Sequence, residues 1–288
     1  MEYPTRTIKV SGRSDVVRIV AMGDLHVGTK AFNEEKLKEI VKWIKGQKNI
    51  YWFDVGDKVE AINYSDPRFD MDTLPEWLWR APQKNSIAML QAQYYCKLIA
   101  PIKDKCLGMS VGNHERVAHR KYHQDIHNFI CTTLNVPDLG WGWIMRITFQ
   151  RSSNKGHGGM VFKIAGEHGY SAGRTDGAKM NAVVRSAQRY GNDINVFVSG
   201  HSHKKLSTTI DYLTTSDKGE HLPKHHKVIC MIVPSFFRTY MSGIVTYGEE
   251  KSYSLASTGV SVLNIRPFYH TTVSGRKDTS YIDYHLSE

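Results

Sequence analysis

The sequence predicts an α/β domain with two packed sheets and helices outside them. Three observations carry that prediction. Short apolar, β-branched runs recur along the chain, and helical periodicity fills the gaps between the early ones. The second half carries more strand-like runs than helices. Strand, loop, helix and strand in succession argue for parallel crossovers, whose ligand crevice lies at the carboxyl ends of the strands.

The elements follow in order. Val16 to Met22 is a strand that ends at Gly23-Asp24. A helix runs from Asn33, its N-cap, to about Lys45, with Leu37, Ile40, Val41 and Ile44 on one face. Ile50 to Val55 is the next strand, and it delivers Gly56-Asp57. A helix over Ser86 to Ile99 stops before Pro101, and Cys106 to Val111 is the strand that delivers Gly112-Asn113-His114. Trp143 to Phe149 and Met160 to Ala165 read as a hairpin around the Gly- and Ser-rich turn from Arg151 to Gly159. Trp141 and Trp143 are expected as core or hairpin residues. A helix from Asp176 to Tyr190 precedes the strand Ile194 to Ser199, which delivers Gly200-His201. Further strands are expected near Lys205 to Tyr212, Lys227 to Val233 and Gly259 to Ile265, and the tail from Arg266 either packs back or reaches a neighbour.

With 288 residues, no internal repeat and no long linker, residues 1–288 read as one domain. Its ligand-type clusters fall between 24 and 203, and a strand-rich part follows over 204–288. A hydrophobic content of 41% and a charged content of 23% are ordinary for a globular protein. The first ten residues are polar, and no apolar run approaches the roughly 20 residues that span a bilayer. A cytoplasmic protein without a membrane partner is the expectation. Cys96, Cys106, Cys131 and Cys230 are scattered and read as reduced thiols. The net charge of +10, from 38 basic and 28 acidic residues, favours an anionic partner over a plain solubility surplus.

Five clusters carry the chemistry: Asp24-Leu25-His26, Gly56-Asp57, Gly112-Asn113-His114-Glu115, His168 between Gly166 and Gly169, and Gly200-His201-Ser202-His203. Each follows an apolar run. Alone, a D-x-H or a single histidine is as often a turn or surface feature. Jointly they supply hard oxygen ligands and imidazoles from five loops, an inventory suited to two adjacent divalent metals and a water made nucleophilic between them. Asp57 could offer one oxygen to each metal. His114, pointing away from its neighbour Asn113, could protonate a leaving oxygen, with Glu115 or another carboxylate orienting its ring.

The order D-x-H, G-D, G-N-H-E, H, G-H-x-H resembles the calcineurin-like metallophosphoesterase superfamily. The resemblance implies a four-layer α/β/β/α sandwich of two mixed sheets flanked by helices. It implies one metal on Asp24, His26, Asp57 and His203, and a second on Asp57, Asn113, His168 and His201. His114 would be the proton donor. Two divalent ions, commonly manganese, iron or zinc in that family, would activate a hydroxide for attack on phosphorus.

The substrate is less legible. Phosphoprotein phosphatases of this superfamily usually carry Arg just before GNHE and D-R-G after the second motif. Here Gly108-Met109-Ser110-Val111 and Lys58-Val59-Glu60-Ala61 stand in those places. Positive groups that could contact flanking phosphates are Arg116, His119, Arg120, Lys121, His123, Arg174, Lys204 and Lys205, with Arg116 and Arg174 nearest to the catalytic loops. Asn63 to Pro82 could form a wall over the site. Its Trp77 and Trp79 suit either base stacking or packing on the body, with packing favoured. The first reading is therefore a phosphodiesterase, in particular a nuclease on DNA or RNA. The alternative is a phosphatase or phosphodiesterase for a small nucleotide or other phosphorylated metabolite. A non-catalytic scaffold of the same fold is a third reading, disfavoured because every ligand position is filled.

Overall fold

The alternation of side chains along a strand gives each sheet two faces, and in this chain both faces are apolar. A computed structural model of the protein describes residues 1–11, 15–66, 68–79, 86–151, 159–170, 173–215, 223–271 and 279–287. The first half contains β1 (Thr5–Val10), β2 (Val17–Met22), α1 (Glu34–Gly46), β3 (Ile50–Asp54), α2 (Glu76–Trp79), α3 (Ile87–Ile99), β4 (Cys106–Ser110), α4 (Asn113–Tyr122), α5 (Ile126–Leu134) and β5 (Asp138–Gly140). The second half contains β6 (Gly142–Arg151), β7 (Met160–Glu167), α6 (Asp176–Arg189), β8 (Val196–Ser199), β9 (Leu206–Thr215), β10 (Pro223–Ile232), α7 (Tyr247–Glu250), β11 (Ser261–Thr271) and β12 (Thr279–Ser287). Most of the expected turn between β6 and β7 lies outside the described residues, as do Pro67 and positions 80–82 of the expected wall.

Two mixed sheets of six strands result, ordered β1-β6-β7-β8-β10-β9 and β12-β11-β2-β3-β4-β5. In the second, β2, β3, β4 and β5 are parallel, as the crossovers require, and β11 is antiparallel to β2 and β12. The tail thus packs back as an edge strand. Between the sheets lie Ile19, Ala21, Phe53, Val55 and Leu107 from one and Trp143, Met145, Ile147, Phe162, Ile164, Val196 and Val198 from the other. The opposite face of β2–β4, with Val20, Met22, Trp52 and Met109, is covered by apolar residues of α1, α3 and α5. Ala165, Phe197, Cys230 and Ile232 on the far side of the other sheet meet Val183 and Ala187 of α6. Each fully buried Val, Leu, Ile, Phe or Met side chain among them contributes about 1.5–3 kcal/mol. The architecture is the four-layer α/β/β/α sandwich that was expected.

Helix starts are capped by side chains, α1 by Asn33 as expected. The side chains of Asn33, Ser86 and Thr175 accept the backbone N–H groups of Lys36, Met89 and Ala178 at the starts of α1, α3 and α6. Cys96, Cys106, Cys131 and Cys230 are free thiols. Among the described residues no helix is long and apolar enough to cross a membrane.

Candidate metal centre

The carboxyl ends of β2, β3, β4, β7 and β8 deliver the five clusters to one end of the sandwich. Backbone bonds tie the loops together. Asp24 N–H donates to the Gly56 carbonyl (2.9 Å), His26 N–H to that of Asp57 (3.1 Å) and Gly200 N–H to that of His168 (2.9 Å). Asp24, His26, Asp57, His201 and His203 all have φ between 50° and 66°, the left-handed region that non-glycine residues rarely occupy. Such strain costs about 1–3 kcal/mol per residue and persists where the surroundings over-determine it, as at functional sites. Glycine is required at 112, where a Cβ would lie 2.1 Å from both N and Oδ1 of Asp57.

Ligand atoms of Asp24, His26 and His203 lie within 4.8 Å of one another. The Nε2 atoms of His26 and His203 are 3.1 Å apart, and His203 Nε2 is 3.5 Å from Asp24 Oδ1. Asp57, His168 and His201 form a second such group. Here His168 Nε2 is 3.1 Å from Asp57 Oδ2, while its Nδ1–H donates to the Val55 carbonyl at 2.9 Å. Asn113 joins this group. Turned either way, its carboxamide presents an atom 2.8 Å from His168 Nε2 and 2.8 Å from His201 Nδ1. The structure therefore brings all seven expected ligands together, with Asp57 near enough that its charge is felt by both Asp24 and His26.

His114 sits beside them, its Nε2 3.9 Å from Asp57 Oδ2. Its Nδ1 donates to the backbone carbonyl of Glu60. Glu115 does not orient that ring. Its carboxylate is taken by backbone donors instead: Oε2 accepts from Gly112 (2.7 Å) and Asp57 (3.1 Å), and Oε1 from Lys58 (2.6 Å) and Val59 (3.3 Å). Being first-turn in α4, it is held in place to shape the Asp57 loop. Glu60 was not singled out from sequence, yet its Oε2 lies 2.8 Å from His26 Nδ1 and its carbonyl holds His114. The bridge between Val27 and Val59, with the bond from His26 N–H to the Asp57 carbonyl, brings this distant pair together.

Beneath the site, the fully buried Lys58 reaches the Ser110 carbonyl, Asp54 Oδ1 (3.2 Å) and His127 Nδ1 (3.2 Å).

The expected phosphate contacts divide. Arg116 is exposed on α4, its guanidinium 5.1 Å from the centre of the Trp141 ring, which meets the His168 ring edge-on at 5.8 Å. It borders the second group. Arg174 is exposed just ahead of α6, and among the described residues no hydrogen bond or ion pair joins it to the donor groups. Lys204 is bonded to the Leu255 carbonyl (2.7 Å). Trp143 is core, its Nε1 donating to Ser110 Oγ (2.7 Å). Trp141 precedes β6 and is turned to the site instead. Trp77 packs on Tyr94, and Trp79 carries Lys30 on its face and donates to the Met71 carbonyl. The expected wall is thus packed on the body, with Arg68 clamped to Asp66 by two bonds of 3.0 Å.

The chemistry of the donor set fits cations. Burial alone would raise the Asp57 carboxyl, but the charges of His168 and His114 hold it well below the carboxylate range. Burial alone would lower His26 and His168. Glu60 outweighs it at His26, which rises to about 9, and Asp57 outweighs it at His168, which rises to about 10. His201 goes the other way, to about 4, through burial and the positive His168. Protons on His26 and His168 thus stand in for positive charge between carboxylates, and neutral rings would turn their Nε2 lone pairs to the same points. His26 and His168 each donate an Nδ1–H hydrogen bond to an oxygen, the arrangement that orients an imidazole toward a metal.

Two mixed sheets between helices, with a two-group donor set at the strand ends, define a metallophosphoesterase-type sandwich. The profile of the calcineurin-like phosphoesterase family matches residues 17–205, and the chain belongs to that family. Comparison with curated proteins finds no match. Among solved structures, Chaetomium thermophilum Vps29 is similar at 11% identity and a TM-score of 0.35, over 93% of this chain and 97% of that one. Haemophilus influenzae NAD nucleotidase is similar at 13% and 0.37, over 87% of this chain and 47% of that one. A metallophosphoesterase from Sphaerobacter thermophilus is similar at 11% and 0.36, over 78% of each.

Proposed function

We propose that this protein is a dinuclear metal-dependent phosphodiesterase, with nucleic acid as the favoured substrate. The observation that carries the reading is the pair of converging donor groups, Asp24/His26/His203 and Asp57/Asn113/His168/His201, with the His114 ring beside Asp57. When bound, two divalent ions supply a water of lowered pKa and neutralise charge on phosphoryl oxygens, manganese being the favoured ion and iron or zinc the others.

The protein's own residues do the rest. Asp57, set by the four backbone bonds to Glu115 and by its own bond from His114 N–H (2.9 Å), fixes the separation of the two groups. His114 is held at Nδ1 by the Glu60 carbonyl, which leaves Nε2 to give a proton to the leaving oxygen. A diester is favoured over a terminal phosphate because the Arg residues that would grip a phosphomonoester are missing from the motifs, and Arg68 is committed to Asp66. The surplus of positive charge suits a polyanion. Four free thiols suit a cytoplasmic location.

The test is manganese-dependent hydrolysis of bis(p-nitrophenyl) phosphate and p-nitrophenyl phosphate, beside labelled single- and double-stranded DNA and RNA. Diester and nucleic-acid cleavage, abolished in Asp57→Asn, is the expected result. Cleavage of the monoester alone would move the protein to the small-molecule phosphatases.

A further inference from the structure

We propose that Tyr170 forms a nucleobase-stacking subsite beside the second donor group; the proposal rests on the phosphodiesterase reading. Four rings run in an arc along that side of the site. Trp141 meets His168 edge-on at 5.8 Å, His168 meets His201 at 5.3 Å, and Tyr170 lies over His201 at 6.2 Å with only 25° between the ring planes. Tyr170 is 80% exposed. One face of its ring is therefore turned to a ligand histidine and the other to water.

Among the described residues, the other aromatic rings considered for the site carry contacts of their own. Trp141 already carries the Arg116 guanidinium. Phe237, which borders the first group, is half-buried and packed on both His26 (5.5 Å) and His203 (5.8 Å). Trp77 and Trp79 are committed to Tyr94, Lys30 and the Met71 carbonyl. An uncovered ring held parallel to a ligand imidazole is the surface on which a planar base stacks when its phosphate lies at the ligands. Arg116, on the same side, adds a cation for a neighbouring phosphate. The ligand chemistry is thus a base next to a phosphodiester, supplied by a free nucleotide or by a single strand. Stacking of one base on an aromatic side chain corresponds to about 5- to 150-fold in affinity.

The experiment compares two diesters with one chromophore: methyl p-nitrophenyl phosphate, which lacks a base, and the p-nitrophenyl ester of thymidine 5′-monophosphate. The readout is the ratio of kcat/KM for the nucleotide ester to that for the methyl ester. Tyr170→Ala, an exposed change with little bearing on folding, is expected to lower the ratio about tenfold through KM, and Tyr170→Phe to restore it. An oligothymidylate measured in parallel identifies the source. Equal loss on oligomer and ester points to a strand, and loss on the ester alone to a free nucleotide. An unchanged ratio in Tyr170→Ala, with both esters hydrolysed, overturns the subsite and leaves the phosphodiesterase reading standing. If the wild-type protein hydrolyses neither ester with manganese, that reading falls and the subsite with it.

Discussion

The Nε2 atoms of His26 and His203 face each other across 3.1 Å. With His26 Nδ1 engaged by Glu60, a proton between the two nitrogens or a cation beside them must reconcile the pair. His203→Ala is expected to abolish one of two manganese equivalents in calorimetry and leave the other, since Asp57, Asn113, His168 and His201 are untouched. Loss of both equivalents would mean that the groups are not separate sites.

Glu60 orients His26 through a 2.8 Å contact and is held ionised, its carboxyl lowered to about 2. Burial opposes this, and the charges of His114 and His26 outweigh it. Glu60→Gln keeps the shape and removes the charge. It is expected to weaken binding of the first metal by about 10- to 100-fold, measured by competition with a chelating dye.

His114→Ala is expected to lower kcat by about 10²–10⁴-fold with manganese stoichiometry unchanged. The two readouts separate a proton donor from a ligand. A leaving group of low pKa, which needs no protonation, should recover most of the loss.

Asp54 makes stability depend on pH. Burial lifts its carboxyl to about 7; Lys58 opposes the rise and Glu115 adds to it. A folded-state value above the ordinary 3.8 means that the native state holds the proton more tightly. The contribution is full below about pH 4 and is lost as pH rises towards 7. Asp54→Asn should therefore gain on the wild type by roughly 2–3 kcal/mol between pH 5 and pH 8, read from urea midpoints in the presence of a chelator. A constant difference would contradict the assignment.

The convergence of the seven donor residues was legible because each stands just beyond an apolar run, where a parallel sheet opens its crevice. Elements that are not half apolar were harder to read. In α4, Asn113–Tyr122, only His114, Glu115 and Ala118 are buried, so no apolar stripe marks the helix. β1 is an edge strand whose Thr5, Thr7 and Lys9 are exposed. Glu60 lies 34 residues from His26 in the chain, and no local pattern links them. Trp141 and Trp143 look alike in sequence. The strand begins between them, which sends one to the site and the other into the core. Glu115 next to His114 invited a direct pairing, but the helix start turns its carboxylate back to the loop donors.

In the proposed function Asp57 stands between two metals. Anomalous diffraction from crystals soaked in manganese tests it most directly. Two peaks about 3.5–4 Å apart are expected, one among Asp24, His26 and His203, the other among Asn113, His168 and His201, with Asp57 touching both. A single peak, or two that do not share Asp57, would contradict it.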